Sequence, residues 1–573
     1  MKPDFGFLSR KSGKLTNASK PGFLARFIRD ERGSYIAFMA LLLPALVSIA
    51  ALGTEGGYYL YNHRFVQSAA DNAAYSVATA LAINSGSTSA DLLLQARAVA
   101  ATDYGLVDGA NGVVVTVNRP PTGQCYASSQ YIGKSGATEV AITESVTRTF
   151  SNIWSSGNVS ICGRAVAIVS GGGQCVLALG TTGTVISTTR NNLSINVTGC
   201  GIFSNSSDPQ SILVQGNNDA ITAESIGTVG GTSISGNAKT QVSATTGNPP
   251  LEDPYATEAA SWPQSQSPAP TTTCPGCSAG TASPSTGCTS GKGAQTTLTL
   301  NAGTWTSSSL SALNLKKCTT AVNLSGGNYV FPSGFDASGV TLQVQAASNI
   351  IVTSGGLATG DVNFSGGNYS IYVGAGGWAS SGTTTFGNGN YLMAITGDWT
   401  NSGNLTMGAG SYSVSVTGNI NIQGTTSTIG AGIYYISGNL NINGTGNETV
   451  TANNVTLVLT GATSIINYTA NNSTFTLSAP GGSAWNAGIA VWEPTSTGSN
   501  LLASGNSSVA SISGVFYAPS ADVQFLGNTG TAPTCTQILA KSVEFGGNSI
   551  NINGDCSGVP GLKTFGQIIA LVE

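Results

Sequence analysis

Ten cysteines are the most conspicuous reactive side chains in this sequence: Cys125, Cys162, Cys175, Cys200, Cys274, Cys277, Cys288, Cys318, Cys535 and Cys556. An even number of thiols, all beyond residue 124, suits disulfides made in an oxidising compartment. Spacing alone leaves their pairing open. Cys274-Pro-Gly-Cys277 has the CxxC form used in redox and zinc chemistry. Zinc would want a second such pair or histidines, and the chain has one histidine, His63. A structural disulfide is therefore the expectation. The same scarcity removes a Ser-His-Asp device, because His63 stands beside a long apolar run. Beyond residue 296 the carboxylates Asp336, Asp361, Asp398, Glu448, Glu493, Asp522, Glu544 and Asp555 are spread singly before the final Glu573. Glycoside hydrolysis needs two acids roughly 5–10 Å apart, and no spacing here compels such a pair. The glycine-rich strings do not lead from a strand into a helix, so they are not phosphate loops. No catalytic residue, metal or cofactor is expected.

The elements that would position any such groups are short strands. Of 573 residues 76 are glycine and only 8% are charged, while Leu, Ile and Val recur at intervals that separate the chain from a disordered one. The length exceeds one compact core, so several units or an elongated repeat are expected. Charge is uneven. Residues 1–32 carry Lys2, Arg10, Lys11, Lys14, Lys20, Arg26, Arg29 and Arg32, and no arginine follows Arg190. A nucleic-acid partner is excluded, since phosphate contacts need cations that the body lacks.

From Tyr35 to Leu52 the chain reads YIAFMALLLPALVSIAAL, uncharged from Ser34 to Thr54. With its flanks this run, which includes Leu41, Pro44 and Leu46, can cross a bilayer, which takes about 20 helical residues. Pro44 is tolerated in such a helix. The basic residues precede it, so the N-terminus is expected in the cytoplasm and everything after about Tyr58 outside. A cleaved secretory signal is the alternative. A retained anchor is favoured, because the run continues into an aromatic turn and an Ala-rich helix.

The stretch from Asp30 to Ala82 resembles the N-terminal segment of Flp pilus-assembly TadG-like proteins. The resemblance rests on Arg32-Gly33 before the apolar run, on Pro44 within it, on the acid Glu55 at its exit, and on the helix from Gln67 through Asp71 to Ala74. Weaker likeness extends to Val159–Ile168, Cys175–Leu179 and Pro249–Pro254. The family usually has Asp where this chain has Glu55. The resemblance implies a single-pass protein of a bacterial inner membrane, its body periplasmic or on the cell surface, working with other Tad pilus-assembly or pilin-like subunits. A processed pilin is not implied, because the fifth position after Gly33 is Phe38 rather than Glu. An Asp-x-Ser-x-Ser metal loop is also missing, Asp336-Ala-Ser338 being the nearest string.

Beyond the apolar run the pattern predicts units in sequence. Residues 1–32 are a basic cytoplasmic segment, and 33–83 are the membrane helix running on into an Ala-rich helix. Ala69, Ala70, Ala73 and Ala74 would let this helix pack closely on its own domain, or alternatively on another subunit. Residues 84–170 read as a small α+β unit, with a helix at Ala90–Tyr104 and strands at Val113–Asn118, Glu139–Phe150 and Ser160–Val169. Residues 171–246 are β-rich, and 247–295 form a Pro/Ser/Thr/Cys linker. Across 296–573 a Gly-x-Tyr element recurs with tyrosines at 329, 369, 391, 412 and 434, which are 40, 22, 21 and 22 residues apart. A period near 21 with alternating strands predicts a parallel β-helix-like solenoid, with a β-sandwich as runner-up. Asn at equivalent turns would stack into ladders, and Gly561–Val572 would cap the array.

The fold class is thus mainly β, behind one N-terminal transmembrane helix. β-Helices host carbohydrate-active enzymes, but the solenoid lacks the arginine that lyase chemistry on this fold uses. Trp378, Trp399 and Trp485 could stack on sugars if exposed, though such rings more often fill coils. The expected function is a non-catalytic, membrane-anchored component of a Tad/Flp-type pilus or surface apparatus, with the lipid bilayer as one partner. A glycan-binding surface adhesin is the alternative, and a carbohydrate-active enzyme comes third.

Overall fold

A computed structural model describes residues 31–573 except 84–86, 127, 128, 130, 135, 136, 171, 172, 189, 190, 284, 286, 289–296, 445, 469–471, 495–498, 505–508, 527, 530–534, 555, 557, 558, 560, 561 and 564–567. The basic segment before Glu31, Asp555 and the side chains of Arg32 and Tyr35 lie outside the described residues. The chain forms two compact units, one of residues 1–168 with 569–573 and one of residues 169–568.

The first unit is built on helix α1 (Glu31–Ile83), 53 residues long with Pro44 inside it. Its first half exposes a continuous set of apolar side chains, among them Ile36, Leu41, Leu46 and Leu52. It is long and apolar enough to cross a membrane. Its second half buries Val66, Ala69, Ala70, Ala73, Ala74, Val77 and Ala78 completely. Helix α2 (Ser89–Tyr104) packs on α1. A capping box between Thr88 and Asp91 starts α2, and Gly105 in the left-handed region (φ 67°) stops it. So the small-residue face of α1 is occupied by its own domain. Three antiparallel strands follow: β1 (Val114–Asn118), β2 (Ala137–Thr147) and β3 (Asn158–Ser170).

A fourth strand completes that sheet, and it comes from the far end of the sequence. Ile568–Leu571 lies beside β3, with Val166 N–H donating to Glu573 O at 2.8 Å and Val572 N–H donating to Val166 O at 2.9 Å. This corrects the expectation that the last apolar strand caps the repeat array. Its alternation suits any sheet edge, and local pattern carries no information about which edge receives it.

The second unit is a β-solenoid of about 15 turns. Each turn lays down three short strands on three faces. Counting the Gly-x-Tyr strand as the first face, one turn is Gly367–Ala375 on the first face, Trp378–Ser380 on the second and Thr384–Phe386 on the third, and the next is Gly389–Ile395, Trp399–Asn401 and Leu405–Met407. Strand pairs between turns are parallel and in register, Gly367 to Gly389, Tyr369 to Tyr391, Trp378 to Trp399 and Phe364 to Phe386. Parallel stacking of successive turns excludes the β-sandwich, whose hairpin connections would make the pairs antiparallel. Like therefore stacks on like. The Tyr391 and Tyr412 rings lie 4.8 Å apart and 2° from parallel, and Phe364 and Phe386 match them at 4.8 Å and 4°. That distance is the interstrand spacing itself. A Cβ at Gly389 would collide with the carbonyl oxygen of Gly367 one turn away, so this corner has room only for glycine.

The Gly-x-Tyr element is a corner latch. Each tyrosine turns inward, is buried, and bonds back to the turn it has just left. Tyr369 reaches Ser365 O at 2.7 Å, Tyr391 Gly387 O at 2.8 Å, Tyr412 Gly408 O at 3.0 Å and Tyr434 Gly430 O at 2.8 Å. Only Tyr369, Tyr391 and Tyr412 share one register position. Tyr434 pairs with Val414 and Tyr329 with Ile350, each two places further along its strand. The 40-residue interval is therefore two turns less this offset. Asparagines form ladders on the second face, from Asn421 to Thr400 (3.0 Å), Asn441 to Asn421 (2.8 Å) and Asn467 to Asn441 (3.3 Å).

Turn order in space differs from order in sequence. Strands between residues 174 and 240, within the stretch 171–246 read from sequence as β-rich, stack onto the last C-terminal turn. Val176 pairs with Ile538, Ile186 with Val543 and Ile195 with Ile550, after which Ile202 follows Val176 and Ile226 follows Ile202. The segment from residue 247 then runs back along the first face as a strap. Leu251 exchanges two hydrogen bonds with Asn205, Tyr517 donates to Asp253, and Gln266 donates to the carbonyls of Met393 and Ser413. Trp262 anchors it edge-on to Trp492, 5.2 Å between ring centroids.

Ile538→Asp would place a charge in the inward ladder between Phe516 and Val176, at a cost of several kcal/mol. We expect hydrogen exchange to accelerate in residues 174–240 and 536–553 while residues 362–422 keep their protection; uniform loss across the solenoid would contradict the stacking order.

Candidate functional site at the helix dock

The motif residues of the N-terminal segment converge on one job. Gln67, on the buried stripe of α1, acts as a strand would: its Nε2 donates to Arg164 O at 2.7 Å, and its Oε1 accepts from Arg164 N–H at 3.1 Å. Asp71, one helical turn on, holds the same Nε2 at 2.8 Å and so fixes the amide's orientation. The approach is close because the facing residue of β3 is Gly163, where a Cβ would lie 2.5 Å from Val66 O and 2.6 Å from Gln67 N. Glu55, three turns earlier, accepts from Thr149 N–H (2.9 Å), Ser151 N–H (2.7 Å) and Ser151 Oγ (3.0 Å), with Tyr59 Oη at 2.6 Å. It satisfies the donors of the turn between β2 and β3, as a capping carboxylate does. Glu55 and Gln67 thus bolt one rigid helix to two points on the sheet.

Beneath Gln67 lies a charge cluster that sequence reasoning missed. The Arg164 side chain is buried between Glu139 (Nε to Oε2, 2.8 Å) and Glu573 (Nη1 to Oε2, 2.6 Å). Glu139 is fully buried, which pushes its pKa up. Hydrogen bonds from Asn118, Arg164 and the Gly123 and Gln124 amides more than offset this and hold it below the ordinary value. The available signal was a lone arginine and a lone glutamate at inward positions of two alternating strands. Glu573 carried none. The aliphatic residues Leu41, Leu46 and Leu52 and the ring of Pro44 lie outside this dock, on the exposed first half of α1.

Among the described residues no group of His, Cys, Asp and Glu is placed to hold a metal ion. His63 Nε2 lies 3.3 Å from the Tyr126 hydroxyl. The ten cysteines form five disulfides: Cys125–Cys162, Cys175–Cys200, Cys274–Cys277, Cys288–Cys318 and Cys535–Cys556. The CxxC string closes on itself. The solenoid acids are engaged one by one in structure. Asp361 accepts from Thr383 N–H (2.8 Å) and Asp398 from Asn419 N–H (2.7 Å), each tying its turn to the next, and Asp336 pairs with Lys316 at 2.6 Å. Glu448 binds the Gly446 amide, Asp522 the Ser542 hydroxyl, and Glu544 the Gln524 amide. Glu493 differs: it is buried, neither of its oxygens has a partner among the described residues, and burial raises its pKa to about 8. Trp378 and Trp399 are buried in the coils and Trp485 packs on Trp262 and Trp492, so these rings serve packing rather than an open sugar platform.

Residues 33–80 match the family model described as putative Flp pilus-assembly TadE/G-like. No curated protein and no solved structure matches the chain. The matched segment coincides with α1, from its exposed apolar half through Glu55, Gln67 and Asp71. The chain therefore carries a Tad domain at its N-terminal end and a β-solenoid in its C-terminal region.

Glu493 makes the solenoid sensitive to pH. Its folded pKa is about 8 against an ordinary 4.5, so the folded state holds a proton that the unfolded state releases, and stability falls as pH rises through that window. The loss amounts to on the order of 3 kcal/mol by pH 7. Glu493→Gln should flatten the melting temperature of the solenoid between pH 5 and 8 and raise it at pH 8; an unchanged profile would refute the assignment.

Proposed function

We propose that this protein is a non-catalytic, membrane-anchored structural or assembly component of a Tad/Flp-type pilus or surface apparatus. The observation that carries the reading is the coincidence of the Tad match with one continuous helix, apolar and exposed in its first half and docked in its second. In this reading the run from Tyr35 to Leu52 is the membrane anchor, with Leu41, Pro44, Leu46 and Leu52 facing lipid and Arg32 and Gly33 at the cytoplasmic boundary. Glu55, Gln67 and Asp71 hold the emerging helix rigidly to the outer domain. The preceding basic residues set the N-terminus in the cytoplasm of a bacterial cell, with a single crossing of the inner membrane. The body then stands in the periplasm or on the cell surface, where five disulfides suit the redox conditions.

A non-catalytic role is supported by the use of Asp361, Asp398, Asp522 and Glu544 as ties between turns rather than as converging pairs. Other Tad assembly or pilin-like subunits are the expected protein partners. A glycan-binding adhesin is less well supported, because the tryptophans that would stack on sugars are engaged in packing. A carbohydrate-active enzyme is weaker still.

Deletion of the gene should abolish or sharply reduce surface pili, seen by electron microscopy, and the full chain supplied in trans should restore them. Normal piliation in the deletion strain would overturn the assignment.

A further inference from the structure

The three faces of the solenoid differ in what their outward side chains do. The first is covered in part by the strap, whose Tyr255 and Trp262 pack over Trp492 and Tyr517. The second satisfies itself through its asparagine ladder. The third presents Thr426-Ser-Thr428, Thr449-Val-Thr451 and Thr474-Phe-Thr476 on consecutive turns, Thr426, Thr449 and Thr474 in one register and Thr428, Thr451 and Thr476 in another. Ser427, Val450 and Phe475 between them point inward and are buried. The second column continues through Thr406 and Thr385. None of these eight hydroxyls has a hydrogen-bond partner among the described residues, and no charged side chain interrupts the two columns over these turns.

β propensity explains a threonine on a strand but not this concentration. Outward positions of the first face, built by the same turns, hold Ser370, Leu392, Ser413 and Ile433 instead. A β-branched side chain on a strand has a restricted χ1, so a column of threonines tends to present hydroxyl and methyl groups in one repeated orientation. The result is a rigid lattice with a repeat of about 4.8 Å across turns and about 6.7 Å along each strand. Such a surface offers no charge for an ion and no exposed ring for a sugar face. It suits a ligand that is flat, neutral and periodic. Tetrahedrally hydrogen-bonded water with O···O near 2.75 Å has second neighbours about 4.5 Å apart and an axial repeat of about 7.3 Å, within about a tenth of both spacings.

We propose that the threonine face of residues 385–476 is a binding surface for ice. Water held by the hydroxyls takes up the lattice of the crystal, and the methyl groups between them exclude disordered water. This assignment stands apart from the pilus role, since it rests on the solenoid alone.

The test uses the purified full chain in detergent micelles, with empty micelles as the blank. The expected result is faceted growth of single ice crystals and slowed recrystallisation at micromolar protein. Thr428→Tyr with Thr451→Tyr should raise the concentration needed by an order of magnitude. Ala379→Tyr, an outward change on the second face, should leave it unaltered, and circular dichroism melting should confirm that both variants fold. Unfaceted discs with wild-type protein, equal loss in both variants, or adsorption to crystalline cellulose or chitin in place of ice would overturn the proposal.

Discussion

A turn of a β-solenoid cannot satisfy its own backbone. Its N–H and C=O groups point along the axis, and each must be completed by the turn on either side. Every other feature of the second unit follows from that requirement. Register becomes strict, because a slip by one residue would turn the inward ladder of Ile350, Ile371, Met393 and Val414 to solvent. Identical residues are driven together, which rewards stacked rings and asparagine ladders and forbids a Cβ where the corners of adjacent turns meet, as at Gly389. The few carboxylates are drawn into the same service. Asp361 and Asp398 each accept an amide of the following turn, a use that competes with catalysis.

The same requirement makes the ends of the stack the weak points, and the chain handles them by returning to them. Turns made by residues 174–240 complete the last C-terminal turn, and the strap from residue 247 binds several turns of the first face at once. In the first unit the strand Ile568–Leu571 fills the edge of the sheet, and Glu573 reaches a buried arginine. Both arrangements use sequence neighbours hundreds of residues apart. The first unit needs residues 568–573 and the second pairs residues 174–198 with 536–553, so contact order is high and folding is expected to be slow.

Much of this was legible in the sequence, and the boundary has a physical cause. Local periodicity revealed the apolar helix, the helix expected at Ala90–Tyr104 and found at Ser89–Tyr104, the strands of the small sheet and the solenoid with its period near 21. The disulfide reading of Cys274 and Cys277 followed from the want of histidine. What pattern could not carry was long-range order. Alternation marks Ile568–Leu571 as a strand but not as the partner of β3, and it marks residues 174–240 as short strands but not as continuations of the final turn. The tyrosine spacing misled in a smaller way, since a latch can sit two places along its strand without disturbing the corner. At the dock, Glu55, Gln67 and Asp71 were visible as a motif, while their common target on β3 and its neighbouring turn was not.

The chain carries a Tad-type helix, gripped at Glu55 and Gln67, and a repetitive body whose polar groups are spent largely on holding it together. On the proposed function the helix anchors that body outside the cytoplasm. The most direct test introduces a protease site at the exposed Asn453–Asn454 turn and an epitope tag at the N-terminus of the full chain, expressed in the native bacterium. The expected result is cleavage at the turn in spheroplasts, an N-terminal tag that remains protected, and an N-terminal fragment that stays with the membrane after alkaline washing. A solenoid site protected in spheroplasts and cut only after lysis, or a chain released by the wash, would contradict it.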